Sequence, residues 1–177
     1  MAQVDQMKQI RQIFLFLLIL VLSDCKQRPT FPASPEITFL ELKKQKTQGS
    51  SGAKDSVTIT LSFKDGDGDL GSYRTQNYFA DLLAKQNGVF KQIVVKDTIP
   101  VVYLDKNGTF PPLNPDGRQG PIEGTLSYGV STELAKYFGD SSSVTVKFKV
   151  YIKDNAGHSS NTIETTEVNI INYQITN

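Results

Sequence analysis

Residues Ser143–Lys153, with the sequence SVTVKFKVYIK, contain the clearest strand pattern in the chain and decide its fold class. Apolar and polar side chains alternate along the whole stretch. One face carries Val144, Val146, Phe148, Val150 and Ile152, and the other carries Thr145, Lys147, Lys149, Tyr151 and Lys153. A period of two residues is typical of a strand with one face in a protein core and the other in solvent.

Further strand signals lie on both sides of this stretch. Ser56–Phe63, SVTITLSF, alternates in the same way. Asn77–Lys85 is compatible with a short helix or a strand, and the Asn87-Gly88 pair that follows favours a hairpin. The other predicted strands are Glu36–Leu42, Val89–Lys96, Ile122–Tyr128 and Thr162–Ile171.

Two polar segments between these strands receive other predictions. Lys43–Asp55, rich in Lys, Gln, Gly and Ser, is predicted to be a loop, and Ser131–Phe138 is predicted to form one or two helical turns. About seven or eight short strands separated by turn residues are typical of an all-β fold. We therefore predict that residues 36–177 form one antiparallel immunoglobulin-like β-sandwich.

The N-terminal part of the chain has a different composition. Lys8 and Arg11 precede the unbroken apolar run Ile13–Leu22, IFLFLLILVL. Such a run rises about 15 Å as a helix, half the roughly 30 Å thickness of a bilayer core. A buried core helix would need a polar face, which this run lacks. Residues 1–24 are therefore predicted to be a signal-peptide helix, and residues 25–35, rich in proline, an extended tether.

The only cysteine of the chain, Cys25, follows the apolar run. The segment Leu22-Ser23-Asp24-Cys25 resembles the bacterial lipobox, in which the cysteine is lipidated and becomes the first residue of the mature protein. Leu22 and Ser23 fit that pattern, and Asp24 stands where a small residue is usual. The resemblance implies that Cys25 anchors the protein to a membrane, since two or more acyl chains attach a protein stably.

Composition excludes several classes of function. The net charge of +1 gives no electrostatic reason to expect nucleic acid as a partner. A single cysteine and a single histidine leave few ligands for zinc. His158 and a neighbouring serine could be drawn as a catalytic triad with Asp154, but residues in one tight turn rarely meet that geometry. The sequence therefore predicts a protein that is not an enzyme.

Three carboxylates separated by single glycines follow the second predicted strand in FKDGDGDLG: Asp65, Asp67 and Asp69. Alternate carboxylates in a glycine-rich loop can turn towards one centre, as calcium requires. The segment is not the calcium-binding helix–loop–helix motif, because Leu70 and Gln76 stand where that motif needs Gly and Glu. Asp-Gly repeats are also ordinary turn formers. A structural calcium site and a solvated turn are both compatible with the sequence.

A second turn is predicted to lie beside this acidic segment. If Ser56–Phe63 and Ser143–Lys153 are the second and penultimate strands of a sandwich, both run in the same direction. The turns that follow them then emerge at the same end of the domain. Asp154 and Asn155 would add oxygen ligands to those of the acidic segment, so the predicted calcium ligands are Asp65, Asp67, Asp69, Asp154 and Asn155.

Three segments carry a resemblance to a family: FKDGDGDLG, PPLNPDGRQGPIEGTL and VYIKDNAGHSSNTIETTEVNI. They are similar to those of uncharacterised lipoproteins from Bacteroidetes-type bacteria, and the last also resembles the end of bacterial immunoglobulin-like and cadherin-like domains. The resemblance implies this fold and an outer-membrane location. The acidic residues that mark surface-exported members are missing from Lys26-Gln27-Arg28, so it slightly favours a periplasm-facing orientation.

Two non-enzymatic roles are compatible with these features. The domain could be a structural envelope component, or a module that binds a glycan or an envelope protein. Several aromatic residues in the middle of the chain could form a binding surface if exposed together: Tyr73, Tyr78, Phe79, Tyr103 and Phe110. The absence of Trp weakens the carbohydrate alternative.

Overall fold

The structure, a computed structural model, describes residues 29–49, 52–96, 102–114, 116–131 and 143–171. The described residues form ten strands: β1 Glu36–Gly49, β2 Gly52–Asp65, β3 Tyr78–Gln86, β4 Val89–Gln92, β5 Val94–Lys96, β6 Val102–Tyr103, β7 Ile122–Ser131, β8 Ser143–Ile152, β9 Ile163–Glu164 and β10 Val168–Ile171. Nothing in these ranges is a helix of the length and apolarity needed to cross a membrane. The predicted signal peptide, Cys25 and residues 132–138 of the segment predicted to form helical turns lie outside the described residues. Ser131, the first residue of that segment, is the last residue of β7.

The strands form two main antiparallel sheets. The first has the order β1-β2-β7, and the second has the order β10-β8-β3-β4, with β9 paired to β8. β5 and β6 form a small separate pair. This arrangement confirms the predicted all-β, immunoglobulin-like sandwich.

The core lies between the two main sheets and follows the predicted alternation. β8 contributes Val146, Phe148, Val150 and Ile152, and β2 contributes Val57, Ile59 and Leu61, all with no exposed surface. Burial of these side chains is the main stabilising contribution, about 1.5–3 kcal/mol for each large apolar side chain. The alternation in these two strands therefore located the core correctly.

The segment between β1 and β2 differs from its prediction. Lys43–Gly49 and Gly52–Asp55 are not a loop: they extend the two strands into one long antiparallel ladder. Each backbone in this ladder receives its hydrogen bonds from the partner strand, which compensates for the low strand propensity of Lys, Gln and Gly.

The ambiguous segment Asn77–Lys85 is a strand. Within the strand Tyr78–Gln86, residues Tyr78–Ala84 pair with β8, and the strand turns into β4 through Asn87-Gly88. Both turn residues have positive φ, 51° and 81°, which is the conformation that two-residue hairpins favour. The predicted hairpin is therefore confirmed.

Candidate metal centre

The ends of β2 and β8 meet at one pole of the sandwich. Asp65 is the last residue of β2, and Asp154 follows β8 by two positions. Leu70 and Asp154 form an isolated antiparallel bridge, which joins the segment after β2 to the turn after β8. The two turns therefore lie together, as the strand directions predicted. We call this end of the domain the acidic pole.

Four carboxylates come together at the acidic pole: Asp65, Asp67, Asp69 and Asp154. One oxygen from each lies within 4.8 Å of the others. Asp65 has no exposed surface and Asp154 is 7% exposed. Buried carboxylates are costly unless they are paired or coordinate a metal, so this grouping needs an explanation beyond turn formation.

Hydrogen-bond donors reach some oxygens of this cluster and leave three of them without a partner. Asp65 Oδ2 accepts a hydrogen bond from the Gly68 backbone N–H at 3.0 Å, and Asp69 Oδ2 accepts one from Ala156 at 2.9 Å. The other oxygens of these two side chains, and Oδ1 of Asp67, are buried without a hydrogen-bond partner. Three of the four clustered carboxylates thus each have one buried oxygen without a hydrogen-bond partner. Natural structures rarely leave such groups unsatisfied.

The electrostatics of the cluster oppose ionisation. Burial, and then the neighbouring charges of Asp67 and Asp69, raise the pKa of Asp65 to about 6. Burial, together with Asp154 and Asp67, also raises the pKa of Asp69. In the absence of a cation, this geometry therefore costs free energy at neutral pH. A bound cation would favour the ionised carboxylates and so lower the pKa of both Asp65 and Asp69.

Close backbone contacts hold the acidic segment in place. The Gly120 N–H donates to the Asp67 carbonyl at 3.0 Å. Gly68 has a φ of +74°, and a Cβ at this position would overlap the carbonyl oxygen of Gly120. The glycine therefore permits the backbone to pass close to the Pro/Gly-rich segment before β7. Sequence analysis did not place this segment at the acidic pole.

Asn155 lies at the acidic pole in a bracing position. Its Nδ2 donates to the backbone carbonyls of Asp69 and Gly71, at 2.5 and 3.0 Å. These bonds tie the turn after β8 to the acidic segment. The role of Asn155 as a metal ligand stays a prediction. In the structure its side-chain amide bonds the backbone of the acidic segment.

His158 is a residue of the site whose contact the sequence analysis missed. Its Nδ1 lies 2.7 Å from Asp154 Oδ2, and its backbone N–H donates to Asp154 Oδ1 at 2.7 Å. The hydrogen bond between the two side chains, together with the charge of Asp154, raises the pKa of His158. The structure thus brings His158 and Asp154 into direct contact. The spacing of four residues across a turn was the available signal.

The hydroxyl of the neighbouring Ser160 is bonded to the backbone. Its hydroxyl accepts the Ile152 N–H at 3.0 Å and donates to the Asn161 carbonyl at 2.7 Å. Both bonds commit the hydroxyl to the backbone. A triad needs a serine hydroxyl in contact with the histidine, and Ser160 gives its contacts elsewhere.

The segment before β1 also reaches the acidic pole. Residues 31–35 were predicted to belong to a tether. The Gly66 N–H donates to the Pro32 carbonyl at 2.9 Å, and Lys64 Nζ lies 5.5 Å from the centre of the Phe31 ring. Pro35 is buried. The last part of the predicted tether therefore packs on the domain.

The aromatic residues named in the sequence analysis lie in different surroundings wherever the structure describes their side chains. Tyr78 and Phe110 belong to the core, and Tyr73 is 79% exposed. Phe79 is partly buried and stacks on Tyr151 with ring centroids 4.7 Å apart. The side chain of Tyr103 lies outside the described part of the chain. Among the aromatic side chains that the structure describes, the five named in the sequence analysis do not form a shared exposed patch.

We compared the chain with protein-family models and with curated proteins. No model of a protein family matches the chain, and no curated protein matches it.

Proposed function

We propose that the protein is a non-enzymatic, lipid-anchored component of a bacterial cell envelope whose domain is stabilised by a calcium ion at the acidic pole. One observation carries the calcium assignment. The fully buried Asp65 has one oxygen without a hydrogen-bond partner, and a space of at most 4.8 Å separates one of its oxygens from one oxygen of each of three other carboxylates. A cation in that space would satisfy the oxygen and cancel the repulsion.

The donor set and its dimensions fit calcium. Calcium binds oxygen at about 2.3–2.6 Å, so two of its ligands can be at most roughly 4.6–5.2 Å apart. The four carboxylate oxygens lie within 4.8 Å of one another. Carboxylates are hard oxygen ligands, which calcium prefers to nitrogen or sulfur. Asp65, Asp67, Asp69 and Asp154 would hold the ion, and it would supply charge neutralisation and a bond between the two turns.

A structural role for this ion is supported by its position. The four carboxylates close the pole at which β2 and β8 end, and Asn155 and Ala156 already link the same two turns by hydrogen bonds. The hydroxyl of Ser160 is bonded to the backbone, to the Ile152 N–H and the Asn161 carbonyl. The ion would therefore act on stability and on the shape of the pole.

The anchoring part of the proposal rests on the sequence. The apolar run Ile13–Leu22 and the lipobox-like segment that ends at Cys25 support export and lipidation. The resemblance to Bacteroidetes-type lipoproteins supports an outer-membrane location that faces the periplasm. A glycan or protein partner stays a prediction, and the dispersed aromatic residues give it no specific support.

Calcium should raise the thermal stability of the purified domain. At a free calcium concentration one hundred times the dissociation constant, the stabilisation is about 2.7 kcal/mol, which corresponds to a rise of roughly 5–10 °C for a domain of this size. The melting temperature is measured in calcium and in EDTA. A melting temperature that is the same in both solutions would refute the calcium site.

The membrane anchor should depend on Cys25. The full chain is expressed in a bacterial host that processes lipoproteins, with labelled palmitate in the medium. We expect label in the unmodified chain and its loss in Cys25→Ser, together with a shift of the protein from the membrane to the soluble fraction. Equal labelling of both proteins would contradict lipidation at this residue.

A further inference from the structure

The chain enters the domain at the acidic pole. β1 begins at Glu36, which pairs with Lys64, and the segment before it continues past the end of β2. Pro32 lies against Gly66, which stands between two of the clustered carboxylates. The segment that leads from Cys25 into the fold therefore reaches the domain where the cation ligands lie.

The contact between the two segments is close. The Gly66 N–H donates to the Pro32 carbonyl at 2.9 Å, and a Cβ on Gly66 would overlap the carbonyl oxygens of Phe31 and Pro32. The Phe31 ring also lies beside Lys64, one residue before the first carboxylate. The Gly66 N–H can reach Pro32 only in a particular backbone conformation of residues 65–67. The same conformation sets the positions of Asp65 and Asp67, the carboxylates on either side of Gly66.

The ligands of the cation and the contact with the entering chain thus lie on the same short backbone. We propose that calcium at the acidic pole locks Phe31–Pro32 onto Gly66, so that the ion sets how much of the N-terminal tether is free. This inference rests on the proposed calcium site. Without the ion, repulsion among the carboxylates moves residues 65–67 and weakens the hydrogen bond from Gly66.

The consequence is a change in reach. From Cys25 to Phe31 the chain can span at most about 20–22 Å, and from Cys25 to the buried Pro35 about 33–36 Å. With Cys25 anchored, calcium therefore limits the distance between the membrane and the acidic pole, and its removal permits a distance about 1.6 times as long. This change in reach depends on the contact between Phe31–Pro32, at the end of the tether, and residues 65–67 of the acidic segment.

Amide hydrogen exchange of the full chain in detergent tests the coupling. The exchange rate at Gly66 is followed by NMR in calcium and in EDTA, with the amides of the central strand β8 as a reference. We expect calcium to slow exchange at Gly66 by at least about tenfold, and by more than it slows exchange in β8. The melting temperature is recorded in the same samples.

Two variants separate the tether contact from the ion. In Gly66→Ala the new Cβ displaces the tether while the four carboxylates remain, so exchange at position 66 should be fast in both solutions and calcium should still raise the melting temperature. Phe31→Ala, which leaves the acidic segment unchanged, should give the same pattern in a weaker form and serves if Gly66→Ala does not fold.

The outcomes distinguish the two proposals. If calcium raises the melting temperature of the unmodified chain but leaves exchange at Gly66 unchanged, the coupling is wrong and the calcium site stands. If calcium changes neither quantity, the calcium site fails and the coupling fails with it. A variant Gly66→Ala with the same calcium-dependent protection at position 66 as the unmodified chain would also overturn the coupling.

Discussion

Replacing Asp65 by asparagine should raise the melting temperature of the calcium-free domain and abolish its response to calcium. The substitution removes a buried charge that lies beside other carboxylates, so the calcium-free fold gains stability. A gain of about 1 kcal/mol corresponds to roughly 2–4 °C in a domain of this size. The same change removes the most buried ligand, so calcium should no longer stabilise the fold.

The effect of Asp65 should depend on pH in a defined direction. Its pKa rises from 3.8 to about 6 on folding, so the folded state binds the proton more tightly than the unfolded state. The destabilisation is therefore absent below about pH 4, grows between about pH 4 and 6, and is complete above that range. Calcium-free Asp65→Asn should lack this loss, and the difference between the two proteins should shrink on acidification.

Asp116→Asn is the matched control for this substitution. Asp116 is exposed and is not one of the clustered carboxylates. The melting temperature of the Asp116→Asn variant in EDTA, and its rise in calcium, should equal those of the unmodified protein. An Asp65→Asn variant that still gains stability from calcium, or that melts lower in EDTA than Asp116→Asn, would refute the role assigned to Asp65.

Replacing Phe148 by alanine should be the most destabilising single change among the core positions of β8. Phe148 lies in the middle of this strand, has no exposed surface and packs in the cluster between the two sheets. Substitution of a buried phenylalanine by alanine costs about 3–5 kcal/mol, because contacts are lost and a cavity remains. We expect a fall in melting temperature of roughly 6–20 °C, measured by circular dichroism in EDTA and in calcium.

Lys149→Ala is the control on the opposite face of the same strand. Lys149 is exposed and its side chain points away from the core. Its substitution should change the free energy of unfolding by less than about 0.5 kcal/mol. Equal destabilisation by the two substitutions would contradict the assignment of the two faces of β8. Calcium should still raise the melting temperature of both variants, since neither residue lies at the acidic pole.

Much of the fold could be predicted from local pattern. The alternation in β2 and β8 identified the buried side chains because a strand has only two faces. Asn87-Gly88 identified the hairpin because both of its residues tolerate positive φ. The ladder formed by Lys43–Gly49 could not be predicted in this way, because its stability comes from the partner strand and not from its own composition.

The candidate site was predicted in part for a similar reason. Two strands with the same direction place their following turns at the same pole, and this geometry brought Asp154 to the other three carboxylates. The contacts of Pro32 and Gly120 with the acidic segment depend on the paths of long connections, which sequence periodicity does not specify. The hydrogen bond between His158 and Asp154 depends on the exact shape of a turn.

A crystal structure of the unmodified chain grown in saturating calcium tests the central claim most directly. The account predicts one strong peak in the space between Asp65, Asp67, Asp69 and Asp154, with carboxylate oxygens at about 2.3–2.6 Å from it. The buried oxygens that now have no hydrogen-bond partner should be among its ligands. A structure at the same calcium concentration in which the four carboxylates stay together and no ion lies between them would contradict the account.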